Sequence, residues 1–217
     1  MRSLALIALL AACTPTASAG DDPRDTGRVK YHMRQRFSDL RTIERMLVAG
    51  KLDDARALAY MLVRPIASAP KSRELDLATG ALGNARTLAQ AIHAEVRIAT
   101  ACAHCHVATQ NVPVFPIPPQ APPDHPDIAA QMARHQWAAD RLWEGVVGAS
   151  DEHWQAGLYV IATSPLRAIG DHKDLAVRLQ QIARQALDQP ASTLDARADT
   201  YARLLLTCAG CHAQGEP

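Results

Sequence analysis

Two short stretches of this 217-residue chain carry the residues most able to do chemistry. Cys102-Ala103-His104-Cys105-His106 and Cys208-Ala209-Gly210-Cys211-His212 both read C-x-x-C-H. That spacing is the one at which haem c is attached covalently. Two thiols add to the vinyl groups of the porphyrin as thioethers, and the imidazole reaches the iron. On a helix the Cys pair stands at i and i+3 and the His at i+4, so all three point one way. Neutral imidazole suits iron, and its second ring nitrogen needs a partner to fix its orientation.

Other chemistries use Cys pairs too. A C-x-x-C…C-x-x-C zinc site usually spaces its pairs by roughly 15–20 residues, not by a whole domain. Redox C-x-x-C pairs of the thioredoxin kind belong to βαβ folds. Structural disulfides would explain neither histidine. With only 9 His in the chain, two accidental terminal histidines would be rare. Haem is the reading that uses every residue of both motifs, and it predicts Cys102, Cys105, His106, Cys208, Cys211 and His212 as cofactor-binding, with His106 and His212 on the metal.

The motifs end two similar segments. Leu88, Ile92, Glu95, Ala99, Cys102 and Cys105 have counterparts 106 residues on in Leu194, Ala198, Tyr201, Leu205, Cys208 and Cys211. Val29, Met33, Arg36, Leu40, Ile43 and Leu47 likewise have counterparts 99 residues on in Ile128, Met132, His135, Ala139, Leu142 and Val146. Steps of three and four mark one helix face, as expected of bundle helices. Second helices are predicted at Leu52–Val63 and Asp151–Ala162, the latter capped by Ser150, and third helices at Glu74–Ala85 and Asp174–Leu187. Of the chain's 14 prolines, 7 fall in residues 113–126. That stretch must be extended and semi-rigid, and it separates the halves.

Composition agrees with helices. Ala supplies 41 residues and the aromatics only 9; the first favours helix, and the scarcity of the second disfavours sheet. A net charge of +1 with 48% hydrophobic residues excludes disorder and gives no basis for nucleic-acid binding. The expectation is an all-α protein of two antiparallel four-helix bundles in tandem: a first unit over 28–112, a linker over 113–126 and a second unit over 127–217.

A bundle whose last helix ends in C-x-x-C-H is similar to the class II cytochromes c, the cytochrome c′ and c-556 family. Lys30-Tyr31-His32 also resembles the opening of that family's first helix. The likeness covers each half separately and rests on the two motifs. It implies two covalent haems, each inside its own bundle. It further implies a distal face covered by the first helix, through either a ligating Met or an apolar residue. Met33 and Met132 hold matching positions and are the candidates for that role, against plain core packing. His135 is the rival ligand in the second half. Its counterpart Arg36 would suit a haem propionate. The remaining His32, His93, His104, His125, His153 and His172 are expected to be solvated. Trp137, Trp143 and Trp154 are expected around the second haem.

The amino terminus reads as an export signal over residues 1–12. One Arg precedes an apolar run from Leu4 to Leu10, too short for the roughly 20 residues a spanning helix needs. Leu10-Ala11-Ala12-Cys13 resembles a bacterial lipobox, with Cys13 lipidated and residues 13–27 a tether; the alternative is ordinary cleavage after Ala19. Charge is uneven. Residues 21–112 hold 14 Lys and Arg against 10 Asp and Glu, and residues 124–217 hold 8 against 12. Each half could steer toward a different partner, or the difference could be drift on two solvated surfaces. No nucleophile–base pair, phosphate loop or paired carboxylates suggest an enzyme. The expectation is a di-haem electron carrier facing the periplasm, anchored to a membrane through Cys13, meeting protein redox partners and able to homodimerise. The alternative is NO or CO binding at a five-coordinate iron.

Overall fold

The computed structural model describes residues 23–62, 72–116, 120–165, 172–189 and 193–213, with side chains from residue 27 onward. The export signal, Cys13 and most of the tether lie outside these residues. The described chain is all-helical. It runs α1 (Pro23–Val48), α2 (Leu52–Leu62), α3 (Arg73–Gly83), α4 (Leu88–Ala108), α5 (Ile128–Val147), α6 (Asp151–Thr163), α7 (Lys173–Leu187) and α8 (Leu194–Ala213). Among the described residues no helix is long and apolar enough to cross a membrane.

Local signals set the ends. Ser72, Thr87, Asp127 and Ser150 each accept a backbone N–H at a helix start, filling donors the first turn leaves unpaired. After α1 the chain turns at Gly50, with φ of 74°. The counterpart of Gly50 under the repeat is Ala149, which closes α5 at a φ of 48°. The described part of the Pro-rich stretch carries neither helix nor strand, as its composition dictates. It is pinned to the second half: Arg134 donates to the carbonyl of Pro122, and His153 Nε2 lies 3.3 Å from that of Pro116.

Within the first half α1 packs on α2 and α4, and α3 on α2 and α4; in the second α5 packs on α6 and α8, and α7 on α6 and α8. The halves also meet directly. Helix α4 packs on α8 and α5, and α1 packs on α8. One continuous apolar core therefore runs through both, including Leu40 and Ile43 of α1, Ile92 of α4, Leu142 of α5 and Leu205 of α8. His104 near the end of α4 lies 3.7 Å from Asp195 in the first turn of α8, so this pair of helices runs antiparallel. Arg41 forms an ion pair with Asp140, its own counterpart in the repeat. Equivalent residues that touch beside an antiparallel pair of equivalent helices mark a local two-fold between the halves at this point.

Candidate functional site

The two C-x-x-C-H motifs occupy the last turns of α4 and α8. Because those helices are antiparallel, the motifs lie at opposite ends of the pair. From Asp195, opposite the first motif, to His212 is about 25 Å at 1.5 Å per residue. All four cysteines are free thiols, each half-buried. A zinc site would have to gather both pairs round one ion, and this arrangement holds them apart. Burial pushes the Cys102 thiol up to about 11 and the Cys208 thiol up to about 12, and it raises Cys211 as well. An activated redox thiol is shifted the other way. These are thiols held protonated by apolar surroundings.

His106 Nδ1 lies 3.4 Å from the carbonyl oxygen of Val147, the last residue of α5. A carbonyl only accepts, so in the neutral ring this contact favours the tautomer with the proton on Nδ1 and the lone pair on Nε2. A metal-binding imidazole needs that division: one nitrogen held by the backbone, the other available. The supporting carbonyl comes from the opposite half of the chain. His212 is exposed.

The opening helix of each half reaches the motif of that half. Arg36 of α1 is close enough to Cys102 to favour its thiolate. His135 of α5 is half-buried and is held below the usual imidazole range, first by burial and then by Arg134 and His212. Arg36 and His135 are repeat counterparts, and each is brought beside its own motif. The methionines one turn earlier are less enclosed. Met33 is half-buried, and Met132 is 38% exposed. The apolar seam is therefore sealed in its later turns, at Leu40, Ile43, Leu47, Leu142 and Val146, and open at its start, where Ile128 is 56% exposed. Apolar positions at a seam would normally be covered. A flat apolar group carried by the adjoining motif is of a kind to cover these. Thiols, imidazole and open seam together fit haem.

Two expectations are corrected. His153 is not solvated but 5% exposed. Its Nδ1 meets Ser150 Oγ at 2.8 Å while Nε2 faces Pro116 O, so it clamps the Pro-rich stretch onto the start of α6. Trp143 does not belong to the second half alone: it packs against Phe37 of α1 and Tyr201 of α8, under the Arg41 guanidinium. Around it lies a buried polar cluster that the sequence reading passed over. Glu44 accepts from Arg41 Nη1 at 2.6 Å and from Tyr201 O–H at 2.7 Å. Glu95, entirely buried, has neither carboxyl oxygen hydrogen-bonded. The available signal was a Glu at a seam position otherwise filled by apolar residues.

Comparison with known protein families, with curated proteins and with solved structures finds no match.

Proposed function

We propose that the chain is a di-haem c-type cytochrome, a tandem relative of the class II bundles, that carries single electrons between protein partners. One observation carries this reading. Each C-x-x-C-H motif ends an antiparallel helix beside the first helix of its own half, whose apolar start is half-buried in α1 and open in α5. Cys102, Cys105 and His106 would hold one haem, and Cys208, Cys211 and His212 the other. A bound haem c supplies a one-electron couple tuned by its axial ligand and by the polarity of its surroundings. The chain's own residues do the rest. Val147 fixes the His106 ring, Arg36 offers a cation beside the first motif, and α1 and α5 exclude water from the far face. His135, near His212, is the stronger candidate opposite the second iron, with Met132 behind it; Met33 is the candidate in the first half. Export with a lipid on Cys13 would place the protein at a bacterial membrane, facing the periplasm.

A second reading, binding of NO or CO, is favoured by the open placement of Met132, which would leave an iron position free if His135 did not fill it. Absorption spectra of the matured full chain in both oxidation states, with and without CO, separate the two. The electron-carrier reading expects low-spin iron and no CO adduct. High-spin iron that takes up CO would move gas binding ahead.

A further inference from the structure

We propose that Glu95, paired with Glu44, holds one proton in the core between the two motif helices, and gains or loses it as the charge at the adjoining haem sites changes.

The geometry begins with the repeat. Tyr201 and Glu95 are counterparts, and so are Trp143 and Glu44. The two residues of the Tyr201–Glu44 bond thus have Glu95 and Trp143 as counterparts, but the indole Nε1 of Trp143 and both carboxyl oxygens of Glu95 are fully buried without partners. An ionised carboxylate in that position would be very costly, whereas a protonated one is a modest polar group. Glu44 has Arg41 and Tyr201 to stabilise its charge, and Glu95 has neither bond. One proton between the two acids therefore resides on Glu95. Burial and the Glu44 charge both push its carboxyl up, with Arg41 opposing.

The charged neighbours come from every side. Helix α1 presents Glu44 and Arg41, α8 presents Tyr201, and α5 presents Asp140 through Arg41. The charged residues of α3, Arg73, Glu74 and Asp76, are exposed, as are Asp53 and Asp54 of α2; Arg56 of α2 bonds Asp53 and the carbonyl of Gly83. On the protein's own attachment cysteines, Glu95 acts on Cys102 and Glu44 on Cys208. The pair is thus felt at both motifs. It opens to water at Asp140, whose side chain is 39% exposed.

The coupling rests on the haem reading; the protonated acid does not. In the pH range where the oxidised protein has given up the Glu95 proton, one electron from an external reductant reaching a haem site is matched by one proton that the Glu95 carboxylate takes from water to become the acid. Oxidation returns the electron to an acceptor and the proton to water. The potential must then fall as pH rises, by at most a tenfold shift in the redox equilibrium per pH unit, or about 59 mV for one electron.

Potentiometric titration of the matured holoprotein over a pH series tests this, after covalent haem has been counted on the same sample. The expected result is a falling potential in wild type and in Glu152→Gln, an exposed control on α6, and a flat one in Glu95→Gln. Glu44→Gln, which removes the neighbouring charge, should move the fall to lower pH and serves if Glu95→Gln does not fold. Infrared spectra should show a protonated-carboxyl band at neutral pH that shifts in D2O and is absent from Glu95→Gln. A flat wild-type profile with haem present, a slope that survives in Glu95→Gln, or no such band would overturn the proposal. Absence of haem would end the functional reading and the coupling together, with the infrared band still deciding whether Glu95 holds a proton.

Discussion

Arg41 and Asp140 meet on the local two-fold, where a dimer of two identical halves would set like charge against like. In one covalent chain the two positions can differ, and here they carry opposite signs. Arg41 also bonds Glu44 and lies 5.7 Å from the centre of the Trp143 ring, so one guanidinium serves two acids and an indole. Burial already pushes the Glu44 carboxyl up, and removal of Arg41 leaves it buried with Tyr201 as its remaining hydrogen-bond partner. Arg41→Ala should cost about 3–5 kcal/mol in urea unfolding of the full chain, against less than about 0.5 for the exposed Arg97→Ala. A loss below about 1 kcal/mol would remove the cluster from the account of stability. Glu95 predicts a pH dependence of its own. Its folded pKa is raised, so between about 4.3, the ordinary glutamate value, and the folded value the native state binds more protons than the unfolded chain. Stability contributed by this group therefore falls as pH rises through that window. Urea midpoints of Glu95→Gln should decline less with pH than those of wild type.

Among the elements, α5 is where close packing and backbone strain are most specific. A Cβ at Gly157 of α6 would lie 2.7 Å from the carbonyl oxygen of Ala138, and one at Gly145 of α5 would lie 2.7 Å from the backbone of Trp154. Neither neighbour is a flexible side-chain end. Gly157→Ala should destabilise by about 1–3 kcal/mol as the two helices are forced apart. At the end of α5, Ala149 adopts the left-handed conformation that its counterpart Gly50 adopts freely. Ala149→Gly should stabilise by about 1 kcal/mol, read as a higher urea midpoint with unchanged slope. The helices themselves were legible from sequence because caps, prolines and apolar spacing are local. Helix α6 runs one residue past its predicted end, to Thr163; the third helices begin one residue early, at Arg73 and Lys173, and α3 stops two residues short of its predicted end, at Gly83; the end predicted at Val63 lies outside the described residues. Which faces meet across the halves was not legible. The same spacing on α4 serves packing against α3, α5 and α8 alike. The burial of His153 was hidden for a related reason, since its partners are a carbonyl 37 residues away and a serine whose capping role was evident but whose side-chain reach was not.

At the scale of the whole molecule, the antiparallel pairing of α4 and α8 sends the two motifs to opposite ends of one continuous core. The proposed attachment residues could be named from sequence because C-x-x-C-H is a local pattern; the carbonyl of Val147 beside His106, and the placing of the motifs about 25 Å apart, arise only from folding. Under the proposed function the two ends would meet donor and acceptor separately, and the uneven charge of the two halves would steer them differently. All of this depends on two covalent haems. Intact mass measured under denaturing conditions, on full chain produced with a c-type cytochrome maturation system, tests that most directly. A di-haem protein gives the mass of the chain plus two haems, and of the chain plus one when Cys102 and Cys105 are both replaced by Ala. The bare polypeptide mass in the wild type, or native protein carrying zinc in place of haem, would contradict it.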